Sequence, residues 1–227
     1  MQTQYLDDGA LEAPSVALQA VRLERGRVGE ITLGMLRDVG PALRDRDLER
    51  IEDIARRDDE VDILEAEIFR YLGRIRVGHM TERESAEMQQ LMVATDNLEN
   101  LADVIETDMV ALARKLVNIK SVTQGETRTI LIELHESTLK SVGLAVQAIR
   151  DNDQRAAESV MIMKDTIRDQ SERLLERKAT RLVAADDPDY LTLVRMQMSF
   201  VDQMRRIYTL AKRIAKVVLP PGIAEKD

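Results

Sequence analysis

The stretch TERESAEMQQLMVATDNLENLADVIETDMVALARKLV, residues 81–117, decides the fold. Its apolar positions Met88, Leu91, Leu98, Ala102, Ile105, Met109, Leu112 and Leu116 advance by threes and fours. That spacing keeps one face of an α-helix against a neighbour, as a bundle seam requires. Thr81, with Glu84 three residues later, predicts a capping box in which each side chain satisfies an orphan backbone amide. A helix running to about Val117 follows.

The rest of the chain reads outward from this helix. Residues 1–13 form an extended leader containing Asp7-Asp8-Gly9. Pro14 opens a first helix whose apolar positions are Leu18, Val21, Val28, Ile31, Met35 and Val39. Gly40-Pro41 should kink or end it, because proline removes a donor and clashes one turn back. Asp45 or Asp47 caps a second helix to about Ile75, stopped by Gly78. Thr123 and Glu126 repeat the capping-box pattern and start a fourth helix, which ends near Asp151-Asn152-Asp153. A fifth runs to about Val183. Asp187 caps a sixth, with Pro188 in its first turn and Pro220-Pro221 as its stop.

Helices four to six follow the order and register of helices one to three at an offset of about 106 positions, as from Leu101 to Ile207. The predicted architecture is all-α: a six-helix bundle made of two three-helix repeats. Its segments are a leader (1–13), a first repeat (14–119), a second repeat (120–219) and a tail (220–227), with the two repeats forming one domain.

Composition narrows the chemistry. Of 227 residues, 33% are charged and only 3% aromatic, with a net charge of −8 and no cysteine. A disulfide framework, a thiolate metal site and a cysteine nucleophile are therefore impossible. The acidic balance argues against nucleic acid as a partner, since phosphate backbones are bound by Lys and Arg. No phosphate-binding loop or dinucleotide fingerprint is present.

The acids have a pattern. Asp96, Glu99, Asp103 and Glu106 share one face of the third helix, one residue round from its seam. On the second helix, Asp58, Asp59 and Asp62 offer a matching set. If the two helices pack antiparallel, the rows face each other. Like charges so placed repel, and a cation would relieve the repulsion. With oxygen donors alone, the candidates are Fe, Zn, Mg, Mn and Ca. Such rows are also commonly solvated faces. The two histidines, His79 and His135, form no Glu-x-x-His pair, so a ferritin-like oxidase is not indicated. His79 reads as a loop residue and His135 as a surface or packing residue.

Asn97-Leu98-Glu99-Asn100-Leu101-Ala102-Asp103 resembles the Asp-Leu-Glu-Arg-Ile-Gly-Asp signature of PhoU-type domains, and Asp58-Asp59-Glu60-Val61-Asp62 resembles the acidic run facing it in that family. The resemblance implies a six-helix bundle of two PhoU-like repeats, no enzymatic activity, and a Glu99-x-x-x-Asp103 motif supplying ligands to a metal. The second repeat departs from the pattern: Arg205 and Thr209 stand where the motif has Glu and Asp. One metal site at most is expected, on the first repeat, with Arg205 or Lys212 neutralising Asp165 and Asp169 in the second.

Arg205-Arg206-Ile207, and the leader from Tyr5 to Leu11 before Pro14, resemble the cytosolic C-terminal domain of sodium/phosphate cotransporter-like proteins. That implies a regulatory domain of phosphate transport at the inner face of the membrane. Its partner would be a membrane transporter domain, in the same chain or a separate one, and a homodimer is compatible with the long seams. The alternatives are a free-standing PhoU-like regulator working with a phosphate ABC transporter and a sensor kinase, a carboxylate-bundle metalloenzyme or metal store, and a plain helical scaffold.

Overall fold

The computed structural model describes residues 2–75, 80–182 and 188–220. Gly78, His79, Val183, Asp187 and Pro221 lie outside them, as do the expectations attached to those residues. Six helices follow one another: α1 (Pro14–Asp45), α2 (Leu48–Leu72), α3 (82–116), α4 (Gly125–Asp151), α5 (154–182) and α6 (Pro188–Lys216). No strand occurs among the described residues.

α1 and α4 form the central pair. α2 and α3 pack on α1, α5 and α6 pack on α4, and α3 meets α6 across the molecule. Every seam position expected on α3 from Leu91 to Leu112 is buried. The two-repeat architecture holds, and local geometry repeats at the expected offset. α1 ends on left-handed Arg46 followed by the cap Asp47, and α4 ends on left-handed Asn152 followed by the cap Asp153. Positions 46 and 47 recur at 152 and 153, 106 residues on.

The central pair owes its close approach to glycine. A Cβ at Gly29 would lie 2.7 and 2.8 Å from the two Cγ atoms of Val146, and one at Gly40 would lie 2.6 Å from His135 Cε1. His135 is thus a packing residue between α1 and α4, held by a 2.7 Å hydrogen bond between Nε2 and the Leu36 carbonyl.

Several local expectations change. α1 runs through Pro41 to Asp45 without ending at Gly40-Pro41. So near the helix end the missing N–H forfeits one bond only, and packing against α4 offsets the loss. The Thr81–Glu84 capping box forms, but the Thr123–Glu126 one does not. Gln124 is the N-cap of α4 and makes no side-chain cap bond; the Thr123 hydroxyl instead accepts from Gln197 Nε2 at 2.6 Å, a tertiary bond replacing a local one. α5 is interrupted at Met163, between Gln154–Ile162 and Lys164–Leu182. α3 is α-helical over Glu82–Asp103 and Val110–Leu116 but π-helical over Val104–Met109.

The leader is docked. A 3-10 turn forms at Asp8–Glu12. The Glu24 carboxylate, wholly buried, accepts from the backbone N–H groups of Gln4 and Tyr5 at 2.7 and 2.8 Å. Tyr71 donates to the Asp7 carbonyl at 2.7 Å, and Arg74 grips Asp8 through two 2.8 Å bonds. The segment therefore sits on α1 and the end of α2, in the same repeat as the acidic rows.

Candidate metal centre

The acidic rows come together as antiparallel packing of α2 and α3 requires. Asp58 and Asp62 on α2 lie within electrostatic reach of Asp103 and Glu106 on α3, and Asp62 also acts on Glu99. Asp59, Asp62, Asp96 and Asp103 are exposed, while Asp58, Glu99 and Glu106 are half-buried; Asp59 adds repulsion to Asp58 and Asp62, and Asp96 to Glu99. Glu106 accepts from the Thr107 hydroxyl at 2.8 Å within the π-helical turn. Such turns inside α-helices recur at functional sites.

Two further residues, absent from the motif reading, complete the cleft. Glu65 lies one turn beyond Asp62 at the inner end of the α2 row and is only 4% exposed. It faces Glu99, Asp62 and Asp103. Beneath it Arg25 of α1, 1% exposed, donates through Nη2 to the Thr95 hydroxyl on α3. The spacing of Asp58, Asp62 and Glu65, four then three, is that of the α3 row. Arg25 likewise sits at a seam position between Val21 and Val28.

Electrostatics mark the cleft as short of positive charge. Burial, then repulsion from Asp62 and the α3 acids, pushes the Asp58 carboxyl up to about 7. Burial, then Glu99 and Asp62, pushes Glu65 up to about 9 despite the pull of Arg25. Asp62 and Glu99 are raised for the same two reasons, burial first. Burial depresses Arg25 too, yet a guanidinium stays charged at neutral pH. The other nearby cations are engaged elsewhere: Arg57 pairs with Asp53 and Asp38 at 2.6 and 2.7 Å, and Arg114 with Glu52 at 2.9 Å.

Among the described residues, no group of three or more acidic or histidine side chains converges closely enough to hold a metal as the side chains stand. The donor set nevertheless suits a hard cation. All its ligands are carboxylates, and Asp58 Oδ1 and Glu65 Oε1 are buried without a hydrogen-bond partner. Rotation of Asp58, Asp62, Glu99 and Asp103 toward a shared ion would replace mutual repulsion with coordination, while displacing the protons held at neutral pH.

The second repeat is different. Arg205 and Thr209 are exposed, and the Thr209 hydroxyl donates to the Arg205 carbonyl at 2.8 Å. The expected neutralisation of Asp165 and Asp169 by Arg205 or Lys212 meets a nearer partner. Arg168, on their own helix, pairs with both at 2.9 and 3.1 Å, because i, i+3 and adjacent partners are within easier reach than another helix. Arg206 reaches across instead to Asp108 of α3, at 3.0 Å.

With the geometry in place, comparison with known proteins shows what the chain is similar to. Residues 26–114, from α1 through α3, match the family model described as "PhoU domain". The whole bundle has the PhoU fold. PhoU from Pseudomonas aeruginosa superposes with a TM-score of 0.80 at 21% identity, over 88% of this chain and 94% of that one. The "phosphate transport system regulatory protein PhoU" from Streptococcus pneumoniae gives 0.78 at 13% identity, over 90% and 94%. In sequence, the chain is similar to the "Putative inorganic phosphate export protein YjbB" of Escherichia coli O157:H7 and of Salmonella typhimurium, 22% identical over 219 residues in each case. The alignment takes in 96% of this chain and 40% of those relatives, so the chain spans about two fifths of their length. Among the described residues, no helix is long and apolar enough to cross a membrane.

Proposed function

We propose that this chain is a non-enzymatic PhoU-like regulatory domain of phosphate transport, carried at the cytosolic face of a sodium-dependent phosphate cotransporter-like membrane protein. The observation that carries the reading is the alignment of nearly the whole chain with two fifths of proteins named for phosphate export. The remaining three fifths of such a protein would hold the transport path, and this domain would bias it.

The carboxylate rows of α2 and α3 form its single cation site. A bound cation would supply the positive charge the cleft lacks, held by Asp58, Asp62, Glu99 and Asp103, with Glu65 at the inner end. Control requires two packings of α2 against α3 with different cation affinity. The chain supplies a route outward. Glu24 and Arg25 are adjacent on α1: Arg25 faces Glu65, while Glu24 holds the backbone of Gln4 and Tyr5. A shift of α1 that follows Arg25 also moves the anchor of the leader, which would join this domain to the membrane part.

The test is phosphate flux in cells whose only copy of the protein carries Glu99→Ala with Asp103→Ala. The dependence of flux on external phosphate should flatten at least severalfold while protein abundance is unchanged. Wild-type flux behaviour in that double variant would overturn the reading.

One observation favours a second reading, a free-standing regulator. The solved chain of PhoU from Pseudomonas aeruginosa is matched over 94% of its length. The coding sequence upstream of Met1 separates the two readings: encoded membrane helices there favour the fused domain.

A further inference from the structure

A cavity lies at the opposite end of α1 from the leader and shares no residue with the acidic rows. It is a cleft of about 610 Å³ between the last turns of α1, the end of α3, and the first halves of α4 and α6. That is the size of a small-molecule site. Leu112, Leu131, Leu193 and Phe200 give it apolar walls. Two polar side chains more than nine-tenths buried set its inner end, His135 at 8% exposure and Gln197 at 7%. His135 Nε2 is held by the Leu36 carbonyl and burial lowers its basicity, so the ring is neutral at pH 7 and adds no positive charge to the inner end.

The cleft's charge lies elsewhere in its lining. Arg37, Arg44, Arg46 and Arg128 line it, against the acids Asp45 and Glu136. Arg44 is neutralised by Asp45 at 2.8 Å. The Arg46 guanidinium donates to the carbonyls of Ile119 and Ser121, neutral partners that leave its charge. Arg37 and Arg128 have no carboxylate within ion-pair distance among the described residues. The four arginines of the lining outnumber its two acids, with Asp45 acting on Arg128 as well as on Arg44, in a chain whose net charge is −8. Arginine in this setting recognises carboxylate or phosphate.

We propose that this cleft binds an amphipathic organic anion, a medium-chain aliphatic carboxylate whose body lies along the leucine and phenylalanine walls and whose head is held by Arg37, Arg46 and Arg128. An uncharged chain would gain the walls but not the arginines, and a bare anion the reverse.

The probe is decanoate displacing 1-anilinonaphthalene-8-sulfonate from the full chain, with 1-decanol and inorganic phosphate as comparisons. Saturable 1:1 displacement by decanoate is expected, at least about tenfold tighter than by decanol or phosphate. Arg37→Ala with Arg128→Ala should weaken decanoate about tenfold without changing decanol. Ile132→Trp, at an exposed lining position, should block both. All three substitutions are at exposed positions, so unchanged melting curves verify folding. No saturable displacement, equal affinity for decanol, displacement by phosphate alone, or indifference to the arginine and tryptophan variants would each overturn the proposal. Its failure would leave the carboxylate cleft untouched.

Discussion

Glu65→Gln should stabilise the metal-free protein at pH 8 by about 2 kcal/mol, while leaving it nearly unchanged at pH 5. The sign follows from the raised carboxyl. A group that ionises near its ordinary value of 4.5 when unfolded, but near 9 when folded, binds more protons in the native state throughout that window. Native stability is therefore full below the unfolded value and falls as pH rises toward the folded one. Gln resembles the protonated acid and does not titrate, so the difference grows with pH. The competing effect is Arg25. If Glu65 ionised chiefly as the counterion of that buried guanidinium, its loss would cost roughly 3–5 kcal/mol. One guanidinium against Glu99, Asp62 and Asp103 makes repulsion the stronger influence. Denaturant melts of the wild type and Glu65→Gln at pH 5 and pH 8 decide the matter. Destabilisation of the variant at pH 8 would reverse the assignment.

Gly29→Leu should cost more than about 3 kcal/mol, the largest single-site effect expected outside the cleft. Even a bare Cβ there lies 2.7 Å from Val146, itself a buried residue, so α1 and α4 must separate along their shared length. Gly34→Ala is the matched control. Its Cβ would meet only the end of the Arg57 side chain at 3.6 Å, and the helix propensity of Ala should add about 0.5–1 kcal/mol. Urea denaturation of both variants checks the prediction. Equal effects would mean that the α1–α4 approach is not what glycine serves.

The fold was legible because periodicity and caps are local signals. The α3 seam, the Thr81–Glu84 box and the 106-residue offset all follow from spacing alone. The misread positions are those where a tertiary contact outweighs a local rule. Thr123 gives its hydroxyl to Gln197 instead of a cap. Pro41 remains helical near the end of a helix held against α4. Arg168, on the same helix, pairs with Asp165 and Asp169. At the site, the rows and their opposition were readable, since acids at steps of three and four share a face. Glu65 obeys the same rule but stands beyond the conspicuous Asp58–Asp62 run. Arg25 was hidden for a different reason: a charged residue at an apolar seam position reads as an interruption until the carboxylate opposite it is known. The π-helical turn beside Glu106 has no sequence signature, because one extra residue per turn is set by packing.

Part of the chain's acidity thus lies in the α2–α3 cleft, where burial and mutual repulsion raise Asp58, Asp62, Glu65 and Glu99. The most direct measurement is calorimetric titration of chelator-treated protein with manganese(II) at pH 6 and pH 8, in buffers of different ionisation enthalpy. Saturable binding is expected that tightens from pH 6 to pH 8 and releases at least one proton at pH 6, where Asp58 and Glu65 are still largely protonated. That binding should be lost in Glu99→Ala with Asp103→Ala. No saturable uptake at pH 8, or uptake that survives the double substitution, would contradict the proposed cation site.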